Sequence, residues 1–139
     1  MDLVIDANIL FAALIKDGAT AYLLSIPDIR TFIPEFIFEE LLEHESEVLN
    51  KSKRTQEELH ELLGLLRSTL IIVPREEFAH LLDEARGLSP DQDDAEYIAL
   101  AMLLKVPIWS NDKCMKKQSK VEVLSTGELF VRLGFSKSV

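Results

Sequence analysis

Apolar residues occur along this chain in short runs separated by longer amphipathic stretches. Leu3-Val4-Ile5 is a run of the kind a buried strand needs, ending at Asp6. Asn8 to Ile15 and Ala19 to Ser25 have helical character, with a break at Asp17-Gly18. A second strand is predicted over Arg30-Thr31-Phe32-Ile33, closed by Pro34, and helical patterning returns from Glu35 to about Glu47. The polarity of Glu45 to Arg54 predicts an exposed connection. Beyond it, Leu59, Leu62, Leu63 and Leu66 recur at helical spacing within a helix from about Thr55 to Ser68.

Leu70-Ile71-Ile72-Val73 is a third strand, stopped by Pro74, and a helix covers roughly Glu76 to Arg86 before Gly87. Ser89-Pro90-Asp91 opens a helix that runs to about Lys105. Pro107-Ile108-Trp109-Ser110 and Val121-Glu122-Val123-Leu124 are the last two strands. A helix from Ser125-Thr126 to Leu133 closes the pattern. This alternation predicts an α/β fold with a parallel sheet of about five strands covered on both faces.

With no internal repeat, low-complexity tract or long linker, residues 1–139 read as one domain. A hydrophobic fraction of 47% with 28% charged residues excludes a disordered chain. No apolar run approaches the ~20 residues that span a bilayer, and no basic segment precedes the first strand. The single cysteine, Cys114, has no internal disulfide partner and fits a reducing compartment. The expected location is the cytoplasm.

The net charge of −9 weighs mildly against nonspecific nucleic-acid binding. It does not exclude a nuclease, because acids that hold cations count as negative here, and two divalent ions would cancel about four charges.

In open α/β sheets, ligands bind beyond the carboxyl ends of the strands. The polar residues at those ends are nearly all acidic. Asp6 follows the first strand, Glu39 and Glu40 lie in the helix after the second, and Asp91, Asp93 and Asp94 open the helix before the fourth. Asp112 follows the fourth strand. Carboxylates suit hard cations such as Mg²⁺ or Mn²⁺, which activate water and relieve charge at a phosphodiester without a His base or Ser nucleophile.

Local roles compete for several of these acids. Asp91 is placed to cap its helix, Asp93 and Asp94 are favoured by the helix dipole, and Asp112 could cap the segment Lys113 to Lys117. Asp6 is harder to explain locally, since an unpaired carboxylate ending a buried strand is costly. In the helix after the second strand, Phe36, Ile37, Phe38, Leu41 and Leu42 form the apolar stripe. Glu40 borders it, while Glu39 and Glu43 point more to solvent.

Val4-Ile5-Asp6-Ala7-Asn8, Phe38-Glu39-Glu40-Leu41, Asp94-Ala95-Glu96-Tyr97-Ile98-Ala99-Leu100-Ala101 and Trp109-Ser110-Asn111-Asp112 together resemble the PIN-domain family. The likeness is to its small prokaryotic members, including VapC-type toxins, and spans essentially the whole chain. It implies a three-layer α/β/α fold and a divalent-metal-dependent ribonuclease. By position, the family's acids match Asp6, Glu40, Asp94 and Asp112, with Asn8 supporting the first and Ser110 beside the last. A one-residue shift would exchange Asp94 with Asp93. Asp6, Asp94 and Asp112 would hold the principal metal, Mg²⁺ or Mn²⁺, and Glu40 would bind a second or orient the attacking water. The resemblance also implies an RNA substrate, a homodimer and a cognate antitoxin.

Lys113, Lys116, Lys117 and Lys120 follow Asp112 and are candidates for substrate phosphates, or else a solvated helix face. Tyr97 and Trp109 read as core residues, and His44, His60 and His80 as structural or surface ones. The leucine stripe of the Thr55–Ser68 helix serves either a dimer or the monomer core. A receiver domain would need an acidic pair by the first strand and a functional lysine after the last, and neither is clear. A haloacid-dehalogenase-type phosphatase needs Asp-x-Asp, where this chain has Asn8. The remaining alternative is a catalytically inactive PIN-like module that binds RNA or protein.

Overall fold

A computed structural model describes residues 1–15, 18–89 and 91–135. The first strand, β1 (Asp2–Ile5), lies at the centre, and Leu3, Val4 and Ile5 are fully buried. Beside it run β2 (Arg30–Pro34) and then β3 (Leu70–Val73) on one side, with β4 (Ile108–Trp109) and β5 (Val123–Leu124) on the other. The sheet order is β3-β2-β1-β4-β5 and every pairing is parallel. Parallel strands need crossovers, and the helices that supply them cover both faces. Although as apolar as a central strand, β3 is an edge, and its Ile71 and Ile72 stay exposed.

The chain leaves β1 toward β2 on one side and returns from β3 to β4 on the other. The order therefore reverses between β1 and β4, which opens a crevice at their carboxyl ends. Two helices, α1 (Ala7–Leu14) and α2 (Gly18–Ser25), follow β1. Asp17, half of the expected break between them, lies outside the described residues, as does Pro90.

The structure corrects two segments. Helical patterning from Glu35 to Glu47 resolves into α3 (Ile37–Glu43) and α4 (Glu45–Ser52), divided at His44. The expected exposed connection of Glu45 to Arg54 is mostly α4. Its surface is polar, but Val48 and Ser52 are buried, and Arg54 Nε donates to the Leu14 carbonyl at 3.0 Å, which ties the segment to α1. One buried apolar residue in two turns is too weak a signal for periodicity to detect.

The next helix, α5 (Gln56–Thr69), starts at a capping box between Thr55 and Glu58. Leu59 is buried and Leu62, Leu63 and Leu66 pack against the core, so the stripe serves the monomer. The expected helix of Glu76 to Arg86 is broken into α6 (Arg75–Phe78), a 3₁₀ turn (Ala79–Leu81) and α7 (Leu82–Leu88), with Gly87 inside the last. The core helix α8 (Gln92–Leu104) buries Ala95, Ile98, Ala99, Leu100 and Ala101 and contacts β1, β2 and β4. Its end is set by Lys105, which adopts the left-handed conformation at φ 58°. No single helix among the described residues is long and apolar enough to cross a membrane.

After β5, α9 (Thr126–Arg132) begins at a second capping box, Ser125 with Glu128. Its first residue latches the carboxyl end of β4. Thr126 Oγ1 accepts from Trp109 Nε1 and from Asn111 Nδ2, both at 3.0 Å, and Thr126 N donates to Asn111 Oδ1 at 2.8 Å. Replacing Thr126 by Val keeps the shape but leaves the Trp109 N–H without its acceptor, at a cost of about 1–3 kcal/mol. Urea unfolding should show that loss. An unchanged midpoint would mean that the latch contributes nothing.

Candidate functional site

The carboxyl ends of β1 and β4 place two aspartates on either side of the crevice. Asp6 caps α1 in extended conformation, and its Oδ1 accepts from Ile9 N at 3.0 Å. Its other oxygen accepts a hydrogen bond from the Ser110 hydroxyl, which follows β4 and is fully buried. The Ser110 Oγ in turn accepts from Asp112 N at 3.1 Å. One serine thus couples the loop that carries Asp6 to the loop that carries Asp112. Asp112 caps a 3₁₀ helix (Lys113–Lys117) through the Cys114 N–H, at 2.9 Å.

The third aspartate arrives on α8. Because α8 runs back toward the start of β4, its N-terminus lies at the carboxyl edge of the sheet. Asp91 caps it by accepting from Asp93 N at 3.0 Å, and Asp93 is exposed. Asp94 is buried, 7% exposed, and takes a hydrogen bond from Ser89 Oγ at 3.3 Å. Glu40 comes from α3, after β2. It is half-buried, whereas Glu39 is exposed, and its buried Oε1 has no hydrogen-bond partner.

These acids interact electrically. Burial raises the Asp6 pKa, hydrogen bonds from Ser110 and Ile9 oppose this, and the charge of Asp112 raises it further. Asp94 is pushed up to about 6 by burial and then by the charges of Asp91, Asp112 and Asp6. Glu40 reaches about 7 through burial and the charges of Asp93, Asp6 and Glu43, against an opposing effect of His44. Acids from four chain segments therefore converge.

Sequence reasoning missed two residues here and underread a third. Ser89 supports Asp94. Tyr97, buried against Phe36 with ring centroids 5.4 Å apart, is the core residue expected, but its hydroxyl accepts from Ala7 N at 3.1 Å. Burial and the nearby charges of Glu40, Asp6 and Asp94 raise its pKa. Its position three residues beyond Asp94 on the same helix face was the available signal. Asn8, exposed on α1, supports Asp6 through its backbone N–H. Asn111, named from sequence only within the Trp109-Ser110-Asn111-Asp112 motif, is a partner in the Thr126 latch.

The lysines divide. Lys113 and Lys117 are exposed on the 3₁₀ helix beside Asp112, and Lys116 forms an ion pair with Glu128. Lys120 lines a depression with Lys105 and Pro107, at the amino ends of the strands, away from the acids.

No group of three or more His, Cys, Asp or Glu side chains among the described residues stands close enough to cage a cation as it is. The donor set still fits a hard divalent ion, which is held by one or two carboxylates plus water and substrate oxygens and needs no protein cage. Burial, mutual repulsion and the unpartnered Glu40 oxygen are what such an ion would relieve.

The comparison with known families decides the membership. A PIN-domain model matches residues 4–129, nearly the whole chain. The chain belongs to the PIN-domain family. No curated protein matches it. Among solved structures it is similar to a chain of VapBC2 from Rickettsia felis, bound to a DNA fragment from its promoter. That match has a TM-score of 0.70 and 17% identity, over 90% of this chain and 98% of the other. It is also similar to a chain of a toxin-antitoxin complex from Klebsiella pneumoniae, with a TM-score of 0.63 and 18% identity, over 89% of this chain and 97% of the other. At these identities the likeness establishes the shared three-layer α/β/α fold.

The raised acids make stability fall as pH rises. A carboxyl whose folded pKa exceeds its unfolded value binds its proton more tightly in the native state. That contribution is complete below the ordinary values of 3.8 and 4.5 and is lost through about 6 for Asp94 and about 7 for Glu40. Thermal unfolding in EDTA should show a Tm that declines between those limits. Asp94→Asn should flatten the decline and Mg²⁺ should oppose it at pH 8. A slope unaffected by both would refute the electrostatic account.

Proposed function

We propose that this PIN-domain protein is a divalent-metal-dependent ribonuclease that hydrolyses RNA phosphodiester bonds in the cytoplasm, using Mg²⁺ or Mn²⁺. The observation that carries the reading is the convergence of Asp6, Asp94 and Asp112 at the switch point, where the charge of Asp112 raises the pKa of both Asp6 and Asp94 and that of Asp6 raises Asp94 further. Asp6, Asp94 and Asp112 would hold the ion, directly or through water, with Asp93 the neighbouring alternative to Asp94 and Glu40 nearby.

A bound divalent cation supplies neutralisation of charge on the attacked phosphate and acidification of water. The protein supplies position. The Ile9 N–H and Ser110 hydroxyl fix the Asp6 carboxylate, and the Cys114 N–H fixes that of Asp112. Glu40, half-buried and with a pKa raised by burial and neighbouring acids while no ion is bound, would bind a second ion or orient the attacking water. Lys113 and Lys117 are placed to meet phosphates along the backbone.

The similarity in fold to chains from VapBC2 and from the Klebsiella complex supports a further reading. On it the protein is the toxin of a toxin-antitoxin pair, with a protein antitoxin and a homodimeric state.

Cleavage of RNA with and without Mg²⁺ tests the site. Asp6→Asn, Asp94→Asn and Asp112→Asn should each lower the rate more than about a hundredfold with folding intact. Ser110→Ala, which disturbs ligand orientation only, should lower metal affinity or activity by about ten- to a hundredfold. Full Mg²⁺-dependent activity in Asp6→Asn would end the assignment, and tight RNA binding without turnover in the wild type would favour the inactive module. For the lysines, alanine at Lys113 and Lys117 together should reduce the salt dependence of binding by about 0.7 per lysine in log–log slope. An unchanged slope would return them to the solvated surface.

A further inference from the structure

The two edges of the sheet are built differently. β5 is short, its Val123 and Leu124 are buried, and α9 packs against it. β3 is left open, with Ile71 and Ile72 at 38% and 41% exposed. Successive strand residues point to opposite faces, so exposure of both means that neither helical layer reaches over this strand. Ile33, the register partner of Ile72 on β2, is fully buried, which puts the limit of the core between the two strands.

An edge strand turns unpaired N–H and C=O groups outward as a template for a further strand, and natural edges are blunted by charge, proline or shortness. Leu70-Ile71-Ile72-Val73 has no charge, proline or glycine, and its two isoleucines and valine favour strand pairing. Leu65, on the α5 helix that runs into β3 without a break, adds an exposed apolar side chain.

Charge at the two ends of β3 selects what fits. Arg67 lies at the amino end, in the last turn of α5, and Glu76 and Glu77 lie at the carboxyl end, in the first turn of α6. All three are exposed, and among the described residues none has an ion-pair partner. Arg75, also at the carboxyl end, is held by Glu96. A second copy set antiparallel about a two-fold axis brings the basic end of each strand against the acidic end of the other. Ile71 then stands opposite the partner's Ile72, and Leu70 opposite the partner's Val73. Parallel alignment would oppose like charges at both ends. With β5 covered, the pairing consumes the open edge of both copies and stops at two.

We propose that β3 is a self-association edge, where two copies of this chain join their sheets into one by antiparallel pairing of β3 with β3. This deepens the homodimeric reading and rests on it. The acidic edges of the two copies face opposite ways, so each acidic site is formed within one chain.

Sedimentation velocity of the full chain across the micromolar range should show monomers converting to dimers. The β3 amides should gain protection from hydrogen exchange as dimers form. Ile71→Lys and Ile72→Glu, both at exposed positions, should each weaken dimerisation at least about tenfold by placing an unpaired charge in the pairing. An equimolar mixture of the two variants should dimerise again. The antiparallel register sets the new lysine opposite the new glutamate and keeps isoleucine against isoleucine in the other half of the pair. Dimers that resist both substitutions, or that form without protection of β3, would overturn the edge pairing and leave the homodimeric reading standing. Failure of the mixture to dimerise would overturn it too. A wild type that remains monomeric throughout would remove both readings and leave the edge to an extended segment of another protein.

Discussion

Like charges drawn together out of water are the constraint around which this fold is arranged. Burial and repulsion act in the same direction on Asp6, Asp94 and Glu40, and both penalise ionisation. The fold opposes this with short-range donors: the Ile9 and Cys114 amides, and the Ser110 and Ser89 hydroxyls. These donors come from the same loops as the acids or from the adjoining strand end. They hold the three aspartates in place, while the buried Glu40 oxygen has no such donor and His44 alone opposes its rise. Arginine or lysine at those positions would have relieved the repulsion and occupied the space.

Topology explains why these particular residues meet. Asp6 and Asp112 are far apart in sequence, but β1 and β4 are neighbours, so the residues just beyond them are adjacent. Ser110 then sets their relative position, since its oxygen donates to one loop and accepts from the other. Glu40 follows β2, the neighbour of β1 on the opposite side, and Asp94 reaches the same edge because α8 runs antiparallel to β4. Four segments are thus brought to one edge by strand order alone, with no long loop required.

That logic also explains what the sequence could and could not disclose. All five strands are legible as apolar runs, and the alternation with helices gives the parallel sheet, because burial on both faces leaves a plain compositional mark. Asp6 stands out because a carboxylate ending such a run has no bland explanation. The segment of Glu45 to Arg54 reads as a loop because α4 rests on little more than Val48, a tertiary effect invisible to periodicity. The break of the Glu76–Arg86 stretch at Ala79 to Leu81 leaves no glycine or proline to announce it. Nor does sequence reveal the pairing of Ser89 with Asp94 or of Tyr97 with Ala7, since each depends on which helix face meets which strand end.

A protein of net charge −9 whose acids gather at one sheet edge repels a polyanion there unless cations intervene. The cations beside the site are few, and Lys116 is already paired with Glu128. On the proposed reading, a divalent ion among the carboxylates is what would neutralise that edge. On that argument the fold supplies position and the ion would supply charge: Ile9, Ser110 and Cys114 orient the carboxylates, and a cation between them would make the acidic edge tolerable to a phosphate.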